Sequence, residues 1–331
     1  MAFRKIATLL AAACVLPSLS AQAEQVAVEG VYAANTDGAR GISAIAIEPI
    51  RGREGIVLEN ALANQLGSAQ IYGEPFFRLV PAAFGDEAAD FDRAILRGYA
   101  GSNVHHAPDG MIERTTCLRQ EIVGEKKHKK CVESLTETFE CRRLHVNFNP
   151  EVALAAEEGI LYRRQDSFVN SERYCTDSSY VPLPDTMLDA MVSRFARLVR
   201  LDLAPEQRFN RFRILESRKG LKGADRKAFK QAIKLTKSDP VGACMLFEEV
   251  LSRNPLQPSA LYNAALCREA DAQLDIAADA YNQLVLVSDS ARFSSGHARV
   301  TSRFRARQQL AMMGQNRAVL ASVASRGVPA Q

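Results

Sequence analysis

The sequence predicts an α/β domain with a mixed parallel and antiparallel sheet, followed by an all-α domain of helical hairpins. Three observations carry that reading. Short β-branched runs alternate with helical stretches at the start, which implies parallel strands joined by helical crossovers. Long segments of period-two character follow, as expected of half-exposed antiparallel strands. Everything after Pro205 reads as helical and repeats its apolar pattern at a spacing of 34 residues.

Taken in order, residues 24–40 are polar and contain glycine, and read as a loose lead-in. Ile42–Ile47 before Pro49 reads as a buried strand. Val57, Leu58, Ala61, Leu62 and Leu66 sit at helical spacing, and Gly67 closes that helix. Phe76–Val80 before Pro81 is the second expected strand, residues 85–93 an acidic helix, and Ala94–Ala100 the third strand. Met111–Val123, Cys141–Phe148, residues 153–158 and Ile160–Arg164 form the meander, with turns at Gly124 and Gly159. Pro184 opens a helix at its favoured first-turn position, with Met187, Leu188, Met191, Val192, Phe195, Ala196, Leu198 and Val199 as its buried stripe. The expected domains are 41–205 and 206–318, with a flexible tail over 319–331.

The N-terminus carries a targeting signal. Arg4 and Lys5 form a basic n-region, Ile6 to Val15 an apolar core, and Ala21-Gln22-Ala23 a small-x-small cleavage site before Glu24. Ala11, three residues before Cys14, argues against a lipoprotein, and no run of eighteen apolar residues predicts a membrane helix. Export makes disulfides available. Six cysteines remain after Cys14 is removed, and six allow fifteen pairings. Hairpin symmetry selects among them. Cys117 and Cys131 are equidistant from Gly124, and Cys141 and Cys175 from Glu158, so each pair should face across a turn. Cys244 and Cys267 then either staple neighbouring helices or are small buried thiols.

The chain carries a formal charge of +4, and the charge is distributed in blocks. Residues 208–237 hold eleven basic side chains against Glu216 and Asp225, a net +9, whereas 238–289 hold eight acids against Arg253 and Arg268, a net −6. Such blocks are solvated helix faces or steer a partner. Export disfavours nucleic acid as that partner; an anionic surface meeting Arg208–Lys237 is the alternative contact.

Ala243 and Ala277, Phe247 and Tyr281, and Val250 and Leu284 are each 34 apart. The A-x-x-x-aromatic pattern at that spacing, with Leu261, Ala264 and Ala265 upstream and Pro255 closing a unit, resembles the tetratricopeptide repeat. Arg268 departs from it, standing where an aromatic is usual. The resemblance implies a groove lined by first-helix residues, here Tyr262, Asn263 and Glu269, then Arg299 and Arg303 from a following hairpin or capping helix. The element order over residues 41–290, with the closing Arg-Leu-Asp-Leu-Ala-Pro205, resembles curli-secretion-subunit-like and TolB-N-terminal-like domains of bacterial envelope proteins. That resemblance implies an assembly or adaptor role and brings no catalytic residues with it.

No phosphate-binding glycine loop, metalloprotease motif or nucleophile elbow occurs, and His105-His106 lack the spacing of metal ligands. No cofactor or metal is expected. The expected function is therefore non-enzymatic binding of a protein or peptide in the periplasm. The alternative is a cell-wall enzyme, or an activator of one, acting on an anionic envelope polymer. Cleavage after Ala23 is testable by intact-mass measurement of periplasmic protein, which should find Glu24 first; retention of residues 1–23, or a lipid on Cys14, refutes it.

Overall fold

The structure is a computed structural model that describes residues 24–81, 93–123 and 128–326. The expected signal peptide, residues 85–92 of the expected acidic helix over 85–93, and the turn at Gly124 lie outside the described residues, and Arg93 begins a strand. In chain order the elements are β1 (Gln25–Tyr32), β2 (Ala44–Ile47), α1 (Gly55–Gly67), β3 (Gln70–Ile71), β4 (Glu74–Pro75), β5 (Arg78–Val80), β6 (Arg93–Val123), β7 (His128–Ala156), β8 (Gly159–Gln165), β9 (Phe168–Cys175), α2 (Pro184–Leu203), β10 (Glu206–Arg213), α3 (Gly223–Leu235), α4 (Pro240–Arg253), α5 (Pro258–Ala270), α6 (Leu274–Val287) and α7 (Ala291–Arg326). They fall into two compact units. A sheet unit comprises Glu29–Phe209 with Ser294–Gln331, and a helical unit comprises the chain up to Val28 with Asn210–Phe293.

The sheet unit has a mixed sheet in the order β5-β2-β6-β7-β8, with β9 also on β7. β2 pairs in parallel with both β5 and β6, and β7 runs antiparallel to β6, β8 and β9. Ala44, Ile45 and Ala46 are buried, as befits a strand flanked by parallel neighbours. Helix α1 buries Leu58, Leu62 and Leu66, one residue per turn, whereas Val57 faces solvent. Helix α2 buries the expected stripe apart from a half-exposed Leu198. Phe195 packs edge-on to Phe168, which lies over Phe148 of the sheet.

Strands β6 and β7 are far longer than the sequence reading, at 31 and 29 residues. His105 and His106 belong to β6 rather than to a loop: His105 stacks on its cross-strand neighbour His145 at 4.7 Å, and His106 shares a hydrogen bond of 2.9 Å with the Tyr174 hydroxyl. Beyond Cys141 the ribbon is two-stranded, and its described side chains face solvent on both faces except for partial cover at Ile112, Cys117 and Phe139. A lone hairpin is marginal in water, and the disulfide Cys117–Cys131 clamps this one. That pairing is as expected, but its geometry is not. Cys117 faces Ser134 and Cys131 faces Gln120, and the irregularity around Arg119 accompanies the 5.8 Å approach of the two Cα atoms. Cys141 and Cys175 do face each other directly, about the turn at Gly159, whose φ of 121° suits only glycine.

One buried carboxylate ties this unit together. Asp202, near the end of α2, accepts from Tyr162 Oη at 2.8 Å and Arg164 Nη1 at 2.5 Å, both on β8, and from Asn35 Nδ2 at 2.9 Å. Its carbonyl accepts from Thr36 Oγ1 at 2.8 Å. Burial, and then the Asp202 carboxylate beside it, push the Tyr162 phenol well above its ordinary range, so the hydroxyl remains a donor.

Three sequence-based boundaries are corrected. Residues 25–32 are strand β1 rather than lead-in, and 206–213 are strand β10 rather than the start of a helix; the two pair with each other. Helix α7 runs to Arg326, into the stretch read as a tail, and most of it belongs to the sheet unit rather than to a domain ending at 318. The physical reason is pairing across about 180 residues of sequence, which no local pattern displays. Asp202→Ala should cost about 2–4 kcal/mol by leaving the Tyr162 hydroxyl and Asn35 amide unpaired. An unchanged urea midpoint for the variant would show that the knot is dispensable.

Candidate partner-binding site

The helical unit is built from two packed helix pairs, α3 with α4 and α5 with α6. Each begins with clear local chemistry. Pro240 occupies the first turn of α4 and the Asp239 carboxylate caps the Gly242 amide at 2.9 Å. Pro258 opens α5, where Gln257 Oε1 accepts from the Ala260 amide. Ala243, Phe247, Ala277 and Tyr281 are all buried. Phe229 of α3 meets Phe247 of α4 at 5.4 Å, and Tyr262 of α5 meets Tyr281 of α6 at 6.1 Å. The third disulfide, Cys244–Cys267, joins α4 to α5, with its Cα atoms 5.6 Å apart. All three bridges fit an oxidising compartment.

The residues expected to line a partner groove are engaged within the chain. Tyr262 is buried against Tyr281 and Phe293. Asn263 is wholly buried: its Oδ1 accepts from the Leu215 amide and its Nδ2 donates to the Leu215 carbonyl, both at 2.8 Å. It thus pairs with the extended backbone after β10 as a neighbouring strand would. Gln257 Nε2 continues the clamp by donating to the Ser217 and Lys219 carbonyls. Glu269 is buried and accepts from the Tyr281 hydroxyl at 3.0 Å. The first-helix surface is therefore occupied by residues 214–221 of the same chain. Arg299 and Arg303 lie in the sheet unit. Arg303 is buried and donates to the Glu29 carbonyl at 3.1 Å, with its guanidinium packed over Gly30, where any Cβ would clash.

The open surface of this unit is elsewhere. A groove of about 910 Å³ runs along α4 and the start of α6, and its floor includes the Cys244–Cys267 bridge. Val241, Met245 and Ile276 line it and are 73%, 69% and 47% exposed. These are large apolar side chains gathered on one surface, which marks an interaction site more often than chance exposure. Two ion pairs bound the groove. Arg268 grips Glu248 with both arms of its guanidinium, Nε to Oε1 at 2.6 Å, which gives the departure from an aromatic at this position a physical reason. Lys237 Nζ lies 3.0 Å from Glu24 Oε1 and holds that carboxyl below its ordinary range, so the contact persists above the carboxylate range and is lost in acid.

Sequence reasoning missed this groove because it sought first-helix positions. The available signal was apolar residues off the buried face of α4: Val241 and Met245 recur four apart, offset from Ala243 and Phe247.

Asn263→Ala should destabilise the helical unit by about 1–3 kcal/mol, since it leaves the backbone amide and carbonyl of half-buried Leu215 unpaired and a hole where the wholly buried Asn263 side chain stood. Full stability, combined with loss of a partner, would instead return Asn263 to the role of a groove contact. The sequence matches no protein-family model and no curated protein.

Proposed function

We propose that this chain is a non-enzymatic interaction protein of the bacterial envelope, exported to the periplasm, that holds a protein partner on its helical unit. Helices α3–α6 are read as two tetratricopeptide-like hairpins; the buried Ala243/Phe247 and Ala277/Tyr281 pairs, 34 residues apart, support that reading. The sheet unit, whose element order resembles curli-secretion-subunit-like and TolB-N-terminal-like domains, is read as the part that docks on an envelope assembly. Three disulfides support export.

The observation that carries the proposal is the groove. Its apolar side chains are exposed without being needed for the unit's own core, while its polar rim is already paired internally. A site of that composition gains free energy by covering apolar area and has little to lose by desolvating its charges.

Immobilised mature chain should retain a partner at near-stoichiometric yield from periplasmic extract of the native organism. Val241→Glu with Met245→Glu should abolish retention without altering the melting temperature, since both side chains are exposed. Equal retention by the variant, or no partner on either, overturns the proposal.

A further inference from the structure

Strand β1 has a row of backbone groups on each edge, and among the described residues only one edge carries a strand. The Glu24 carbonyl accepts from the Ile214 amide at 3.1 Å, so residue 24 faces the β10 side. Backbone groups alternate in direction along a strand, so 26 and 28 share that side and odd-numbered residues face the other. The rest of β1 obeys this parity. The Glu29 carbonyl is taken by Arg303, and just past the strand the Ala33 amide is taken by the Ser302 carbonyl; both partners come from α7 and neither from β10. The second half of that edge is thus covered. Among the described residues nothing similar covers the first half: Gln25 and Ala27 are exposed and, together with Val26, line the groove.

An uncovered strand edge beside an exposed apolar trough is the arrangement used for strand addition, where main-chain bonds supply affinity and alternate side chains supply specificity. The charged side chains lining the groove are of both signs, Arg211, Lys237 and Arg268 with Glu248 and Asp271, and Lys237 and Arg268 are ion-paired within the chain, so the strand edge and the apolar side chains define what fits. We propose that β1 receives an extended segment of a partner protein as a third strand, paired at Gln25 and Ala27, with its alternate side chains apolar and set against Val241, Met245 and Ile276. This rests on the reading of the helical unit as the partner-binding part and adds to it the conformation and side-chain pattern of what is bound.

The test uses the full mature chain with its disulfides intact, panned against phage-displayed random peptides of about ten residues, roughly 33 Å when extended. Enriched sequences should carry apolar residues at alternate positions. Resynthesised peptides should lose about tenfold or more in affinity when N-methylated at alternate backbone positions, and be indifferent to N-methylation at the intervening ones. Ala27→Pro, which removes an amide pointing away from β10, should weaken them similarly. Independently of whether that variant folds, hydrogen exchange on the unaltered protein should show the Gln25 and Ala27 amides protected on binding.

Peptides that bind and are blocked by Met245→Glu, yet ignore N-methylation, overturn strand addition and leave the groove reading intact. Enrichment of sequences without that alternation overturns the assignment of the apolar contacts. No enrichment, while the native extract still yields a partner that Val241→Glu with Met245→Glu abolishes, overturns this inference alone. No peptide and no partner overturn both.

Discussion

Each strand here must dispose of two rows of backbone amides and carbonyls, and how each does so decides where the protein is closed and where it is open. β2 solves the problem by parallel neighbours on both sides, and its side chains are correspondingly buried. β7 borrows β6 along its whole length and divides its other edge between β8 and β9. Where that division ends, at Cys141, no third strand joins the ribbon among the described residues, and a covalent clamp at Cys117–Cys131 holds it. Residues 215–221 likewise have no strand beside them among the described residues, and the amide side chains of Asn263 and Gln257 stand in for one. Side chains with both a donor and an acceptor are the natural substitutes for a missing backbone.

The legible parts of the sequence were those whose cause is local. The α1 and α2 stripes, the parallel β2/β5/β6 core and the antiparallel meander follow from apolar periodicity, which is a property of neighbours in the chain. The Cys141–Cys175 bridge followed from hairpin symmetry because the turn at Gly159 keeps a regular register. The same argument paired Cys117 with Cys131 correctly while misplacing the register, since an irregularity beside Arg119 is invisible to a count of residues. β1 and β10 were illegible for a different reason. Val26 and Val28 do alternate with polar residues, but a strand whose mate lies about 180 residues away has no local turn to announce it.

The candidate site failed in the sequence for a related reason. Tyr262, Asn263 and Glu269 occupy positions that a repeat array leaves open along its inner surface, and this chain fills that surface with its own linker. A consensus specifies which side chains face the groove and is silent on whether another part of the molecule gets there first. Arg303 illustrates the same limit from the opposite side: its guanidinium packs over Gly30, and the sequence signal would have been a glycine inside a strand, a mark of close approach rather than of a turn.

The groove and the oxidising compartment that the disulfides fit meet in one bond. Cys244–Cys267 lies in the groove and joins the helix that supplies Val241 and Met245 to the helix that supplies Arg268. Arg268 in turn reaches back to Glu248 on that first helix. That ion pair is bidentate and partly buried, and a bridge closing a loop of this length adds about 2–4 kcal/mol. Two fastenings therefore hold α4 against α5 beside the apolar side chains, and one of them forms only in an oxidising compartment. A reduced chain would keep the ion pair and lose the covalent tie, so the compartment that the disulfides fit is also the one in which this edge of the groove is most firmly held.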